Sequence, residues 1–299
     1  MKLKIILLSA AVALNAVMLT GCGDPNELII ENGVVVGIKN SDHPDKVTSV
    51  TIPDGVTEIG SWAFLYCSGL TSITIPDSVT TIGDHAFLGC TGLTSVTIPD
   101  SVTTIGESAF ERCTDLTSIT IPGSVTENGG GAFRFCTGLI SATIMDGATE
   151  ITGSTFYGCT SLTSVTIPDS VTDIGQSAFS GCTGLTYVNI PNSVTMIQMN
   201  AFHGCTSLTS IDIPDSVTSV RQYAFQNCTG LTSVTIMDGV TKIGENAFAG
   251  CTDLTSITIP DSVTEIWDGA FDECRNLTII CSSGSYAKFY AMLHGYPTN

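Results

Sequence analysis

The residues with the greatest chemical capacity in this chain are its cysteines, and ten of them fall on a strict spacing. Cys67, Cys90, Cys113, Cys136, Cys159, Cys182, Cys205, Cys228, Cys251 and Cys274 are each 23 residues apart. Thiols can bind metal, pair as disulfides, attack an electrophile or fill a core. Zinc sites need ligands that converge tetrahedrally, commonly from paired C-x-x-C elements, whereas a column of parallel side chains converges on nothing. Neighbouring disulfides are harder to set aside. Coils stacked about 4.8 Å apart place Cα atoms within disulfide range, but parallel Cβ atoms stay beyond the roughly 3.8 Å that the bond prefers. Cysteine is also a small, readily buried hydrophobe. The reading is therefore a column of buried free thiols, with disulfides between neighbours as the alternative.

No other catalytic constellation accompanies them. His43, His85, His203 and His294 lie in four unrelated contexts, and no glycine-rich phosphate loop follows a strand. Catalysis needs one site perturbed against its neighbours, and a repeated scaffold gives every site the same surroundings. An aspartate column from Asp54 to Asp261, replaced at Gly123 and Asn192, supplies one carboxylate per turn. A calcium loop supplies five or more oxygens. Neither an enzyme, a metal nor a cofactor is expected.

The elements that carry the cysteines repeat with them. The unit is V-T-x-I-G-x-x-A-F-x-x-C-T-x-L-T-S-V/I-T-I-P-D-S, with an unbroken phenylalanine column from Phe64 to Phe271 and a leucine column from Leu70 to Leu277. Leu70-x-x-Ile73-x-Ile75 fits a short strand with alternate residues inward, and Pro-Asp-Ser a turn. Val-Thr-x-Ile alternates again as a second strand. Phe and Cys at i, i+3 predict one turn of α or 3₁₀ helix. No unit can bury its apolar face alone, so stacking must supply the core.

The unit resembles the BspA-like class of bacterial leucine-rich repeats over roughly residues 47 to 280. That resemblance implies a surface protein that adheres to host or partner-cell proteins and carries no catalytic activity. The fold expected is an α/β repeat: a leucine-rich repeat solenoid of about ten 23-residue coils, each with short parallel strands and one helical turn. Leu28 to Lys39, around Asn32-Gly33, predicts a hairpin, and residues 28–46 form an N-terminal cap over the 47–280 solenoid. Ser285 followed by Tyr286-Ala287-Lys288-Phe289-Tyr290 predicts a capping helix within residues 281–299.

The N-terminus reads as a targeting segment. Lys2 and Lys4 precede an apolar run to Leu19, too short to span a bilayer as a mature helix. Leu19-Thr20-Gly21-Cys22 resembles the lipobox of bacterial lipoproteins, which implies that residues 1–21 are a signal peptide and that Cys22 carries lipid. Residues 22–27 would then tether the domain to a membrane. Removing residues 1–21 takes two lysines and no acid, so 8 cations against 28 acids leave −20. Such a chain repels phosphate backbones, and nucleic acid is not an expected partner.

Departures from the repeat are the places to look for recognition. Between 187 and 223 the outward columns change to Tyr187, Asn189, Asn192, Met196, Gln198, Met199, His203, Asp212, Arg221 and Tyr223. Aromatic and arginine side chains are favoured at protein interfaces. The candidate protein-binding surface is Tyr187, Asn189, Asn192, Met199, His203, Asp212, Arg221 and Tyr223. Extracellular or cell-surface proteins are the expected partners. A glycan-binding or structural envelope scaffold is the second reading. A different departure, Asn128 in the buried isoleucine column with Ala142, Ala148, Thr152 and Thr155 beside it, marks 128–155 as the weakest coil interface. Cys281 lies 23 residues after Thr258 and is expected to face outward.

Overall fold

The computed structural model describes residues 27–39 and 43–299. The signal segment, Cys22 and most of the tether lie outside the described residues. The chain winds into a solenoid of about eleven coils, made of short parallel strands joined by turns.

Two ladders run along the solenoid. The first sheet carries the L-T-S-V/I-T-I strands in three blocks, Ser49–Thr51 to Ser95–Val96, Ser118–Ile121 to Ser164–Thr166, and Ser210–Ile213 to Thr278–Ile280. The second carries the two-residue strands of the V-T-x-I segments in two blocks, interrupted between Glu127–Asn128 and Glu150–Ile151. Within each block residue i pairs with i+23, for example Ser141 with Ser164 and Thr143 with Thr166. Every identical side chain is thereby stacked on its copy. Ten phenylalanines are buried, and their rings stack in sequence, from 4.9 Å between the Phe87 and Phe110 centroids to 5.8 Å between Phe133 and Phe156. Threonine hydroxyls reinforce the ladder by donating to the carbonyl of their counterpart one coil back, as Thr94 does to Thr71 and Thr117 to Thr94.

The predicted helical turn is absent. Residues 60–67 form linked turns in which alternate N–H groups serve different partners. Ala63, Leu65 and Cys67 donate within the coil, to Gly60, Trp62 and Phe64 oxygens. Trp62, Phe64 and Tyr66 donate to the next coil, to Asp84, Ala86 and Leu88 oxygens at 3.0, 2.8 and 2.8 Å. An α-helix would direct every N–H back to i−4 and leave no donor for the neighbouring coil. Left-handed residues at Trp62 (φ 64°) and Tyr66 (φ 54°) produce the alternation, and the same two columns are left-handed in each later unit. The described chain holds one α-helix, Tyr286–His294, and one 3₁₀ segment, Pro44–Lys46.

At the N-terminal end, strands Leu28–Glu31 and Val34–Ile38 pair antiparallel, and the second of them joins Glu58–Ile59 in parallel. The C-terminal helix starts at Ser285, whose hydroxyl accepts from Lys288 N–H, and ends at Gly295 in the left-handed conformation. Its Tyr290 ring meets the last stacked phenylalanine, Phe271, edge-on at 5.9 Å.

The expectation for Cys281 is corrected by register. Thr258 pairs with Ile280, not with Cys281. The last unit lacks one residue after Thr278, and a one-residue slip exchanges the two faces of a strand. Cys281 therefore follows the inward column of Ile259, half-buried against the core.

Candidate functional site

The ten repeated cysteines are all buried and all free. They are not inert filler. Cys90 Sγ–H donates to the Phe64 carbonyl at 3.1 Å, Cys113 to Phe87 at 3.3 Å and Cys136 to Phe110 at 3.1 Å. The bond recurs, 26 residues back each time, as far as Cys274 to Phe248 at 3.2 Å. Each such carbonyl already accepts the N–H of its own coil's cysteine, as Phe64 O does from Cys67, so the thiol occupies its second lone pair. Tyr296 Oη–H takes the corresponding place on Phe271 O at 2.9 Å, where the column has run out of cysteines. Burial pushes the thiols up, Cys67 to about 11 and Cys182 to about 12. A reactive cysteine needs a lowered value and access; Cys274 alone is lowered, through its hydrogen bond with Cys251, and like the others it is buried. Thiol titration of the reduced protein lacking residues 1–26 is expected to find one accessible group, Cys281, in the folded state. It should find eleven after denaturation, and neighbour disulfides would show as missing equivalents.

The predicted recognition residues divide into three places. Tyr187, Asn189, Asn192 and Asp212 come together on the outward face of the first sheet, around a hollow of about 370 Å³. Ser210, Asp215, Met237 and Asp238 add polar and apolar groups to its lining. This is the position of the second break in that sheet. Residues 187–190 keep the out–in alternation of a strand, with Val188 and Ile190 buried, but they join neither Ser164–Thr166 nor Ser210–Ile213 in a ladder. Tyr187 stands where other coils carry serine and is 61% exposed. None of the three aspartates has a cation within ion-pair distance. The described residues hold three ion pairs, Lys39–Glu27, Arg112–Glu111 and Lys242–Glu265.

Met199 and Arg221 lie elsewhere, in a groove beside the second sheet. His203 and Tyr223 line neither hollow. They sit among the linked turns, where His203 approaches Asn227 at 3.5 Å and burial lowers its pKa, while Tyr223 is left-handed at φ 60°. The structure thus assembles four of the eight residues and disperses the other four. Asp215 and Asp238 escaped the sequence reading because they match the repeat. Trp267 escaped it although it stands in a glycine column, a departure of the same kind as those that were noticed.

Parallel strands at a fixed repeat, leucine and isoleucine facing in and turns closing each coil define a leucine-rich repeat solenoid. Its family follows from the sequence of the unit: the model for the BspA type leucine rich repeat region matches residues 42–163 and 149–278 in six copies. The chain belongs to that family, whose solenoid is typically a binding scaffold, and no enzymatic family is indicated. Two solved structures illustrate the likeness. A leucine-rich repeat protein from Bacteroides ovatus is 28% identical, with a TM-score of 0.56 over 85% of this chain and 92% of its own. A leucine rich cell surface protein from Faecalibacterium prausnitzii is 36% identical, with a TM-score of 0.47 over 82% of this chain and 81% of its own. No curated protein matches the chain. Among the described residues no helix is long and apolar enough to cross a membrane.

Proposed function

We propose that this chain is a lipid-anchored binding protein of the bacterial cell envelope, displayed at the outer surface, that engages extracellular or partner-cell proteins through the first sheet. The observation that carries this reading is the hollow around Tyr187. Here the solenoid gives up its ladder, places an exposed aromatic ring among amides and unpaired carboxylates, and leaves Met237 42% exposed beside them. An aromatic anchor in a polar rim is the pattern of an interface centre. The Leu19–Cys22 segment and the surface role implied by the family resemblance support display. Under this reading the hairpin Leu28–Ile38 and the helix Tyr286–His294 act as caps that close the two ends of the core, as terminal repeats must.

The test uses substitutions that restore what other coils carry, so the fold tolerates them: Tyr187→Ser, Asn189→Thr and Asp212→Thr. The protein lacking residues 1–26 is expected to bind extracellular-matrix or partner-cell protein saturably, and the triple variant to bind at least tenfold more weakly. Unchanged affinity would remove the site while leaving the function. Absence of saturable binding to any protein would remove the function. Protease shaving of intact cells should release the domain if it is displayed.

A further inference from the structure

The second sheet is bordered by a column that other coils fill with glycine: Gly60, Gly83, Gly106, Gly129, Gly175 and Gly244. The reason is close approach. A Cβ at Gly83 would lie 2.6 Å from Ser61 N, and one at Gly244 would lie 2.7 Å from Gln222 N. Thr152, Gln198, Arg221 and Trp267 nevertheless occupy this column. The ladder thins where the largest charge enters: between Met196–Ile197 and Ser219–Val220 only Ile197 and Val220 pair, whereas neighbouring strands pair at two positions. Arg221 and Trp267 flank Gly244 in this column, their backbone positions two coil spacings apart, roughly 10 Å, and the Arg221 guanidinium leans one coil back toward Met196. The result is a groove of about 610 Å³, within the range of small-ligand sites.

We propose that this groove binds a carboxylated sugar, a hexuronic or nonulosonic acid within a glycan. Trp267 is 50% exposed and offers an aromatic face to the apolar side of a pyranose ring. Arg221 is exposed and meets no carboxylate; its nearest polar contact is Met196 Sδ at 3.6 Å from Nη2. Its planar fork matches a carboxylate bidentately. Arg221 and Lys242 balance Glu245 and Glu265, so the groove is locally neutral in an acidic chain. Lys242 is already paired with Glu265 at 2.9 Å, and Glu245 accepts from Gln222 Nε2 at 2.7 Å, which leaves Arg221 as the cation for a ligand. Gln198, Thr218 and Thr241 add polar groups to the lining, although Gln198 Nε2 already donates to Asp173 and the Thr241 hydroxyl to Thr218 O. An acidic peptide is the poorer fit along Ser219–Val220 and Lys242–Ile243, which are paired on both sides and present no edge for a main chain; Glu265–Ile266 ends the sheet, so a peptide is included in the test.

Arg221→Gly and Trp267→Gly each restore the repeat's own residue and so separate loss of the site from loss of the fold. Calorimetry with a hyaluronan tetrasaccharide, whose glucuronates alternate with N-acetylglucosamine, is compared with the neutral chitotetraose. A sialyl-lactose and a galacturonate oligomer complete the acidic panel. At least one acidic glycan is expected to bind saturably and at least tenfold more tightly than chitotetraose. Arg221→Gly should erase that preference, and Trp267→Gly should weaken binding tenfold or more. The proposal is overturned if no acidic glycan binds, if either variant binds as the parent does, or if a tetra-aspartate peptide binds more tightly than every sugar. Tyr187→Ser should leave glycan binding intact, so this site and the protein-binding face fail independently.

Discussion

Raising the pH above 9 is expected to unfold the solenoid along a steep curve, in reducing buffer and with no ligand present. Burial holds the thiols of Cys67, Cys90, Cys113, Cys136, Cys159, Cys182 and Cys205 protonated well past the ordinary cysteine range. In the unfolded chain the same groups ionise near 8.5. A folded-state pKa raised above the unfolded one means that the unfolded chain releases protons the folded one keeps. The associated stability is complete below about pH 8.5 and is lost as pH rises towards the folded values. Each group contributes about 1.4 kcal/mol per pH unit once the unfolded thiol is ionised, and Cys251 is raised in the same direction through its hydrogen bond with Cys274 and burial, so the contributions reinforce one another. Following far-UV dichroism from pH 8 to 11 at fixed temperature measures this. Replacing Cys113, Cys136 and Cys159 with alanine lowers overall stability but should flatten the pH slope by roughly a third. A slope unchanged in that variant would assign alkaline unfolding to other groups.

Asn128→Ile is expected to stabilise the protein by about 2–4 kcal/mol, a large gain for one substitution. Asn128 sits at the interruption of the second sheet. Its strand pairs with Thr104–Ile105 behind it and with nothing ahead, since Glu150–Ile151 pairs only with Asp173–Ile174. Its Oδ1 is buried without a partner, which costs roughly 1–3 kcal/mol. A small void of about 10 Å³ lies between Asn128, Ala148 and Thr155, and isoleucine would return about 1.5–3 kcal/mol of apolar burial to that space. The two gains overlap, hence the narrower total. Urea unfolding measures the change. Limited proteolysis gives a second reading, because cleavage of the parent should concentrate within residues 128–155 and decline in the variant. Equal midpoints and an unchanged cleavage pattern would show that this interface does not limit stability.

Periodicity made the solenoid legible because its apolar columns are unbroken: a 23-residue register of phenylalanine, leucine and cysteine admits no arrangement but stacking. The turn segment was misread because i, i+3 spacing is shared by a helix and by a chain of linked turns. What separates them is where alternate N–H groups point, and that depends on a neighbouring coil that local spacing does not encode. Cys281 was misplaced by counting, since one deleted residue reverses inside and outside. Of the recognition residues, Tyr187, Asn189, Asn192 and Asp212 were recoverable because they share a strand face with their counterparts one coil away. Met199, Arg221, His203 and Tyr223 are as near in sequence, but the chain turns between them, and one coil exposes three different faces within 23 residues. The thiol hydrogen bond left no trace in composition, since its acceptor is main chain.

That bond points the same way in every coil, and the two ends of the series differ. Cys67, the first, has no Phe carbonyl behind it to receive its proton, whereas Phe271, the last, gives its carbonyl to Tyr296. Neither end depends on how many coils lie between. Deleting or duplicating one in-frame unit, from a phenylalanine to the residue before the next, leaves a phenylalanine carbonyl waiting for Tyr296 and a cysteine waiting for the preceding coil. The number of coils is therefore adjustable by recombination in steps of one repeat, each changing the reach of the molecule by about 4.8 Å. Coil count acts as a ruler whose graduations evolution can add or remove without redesigning either end.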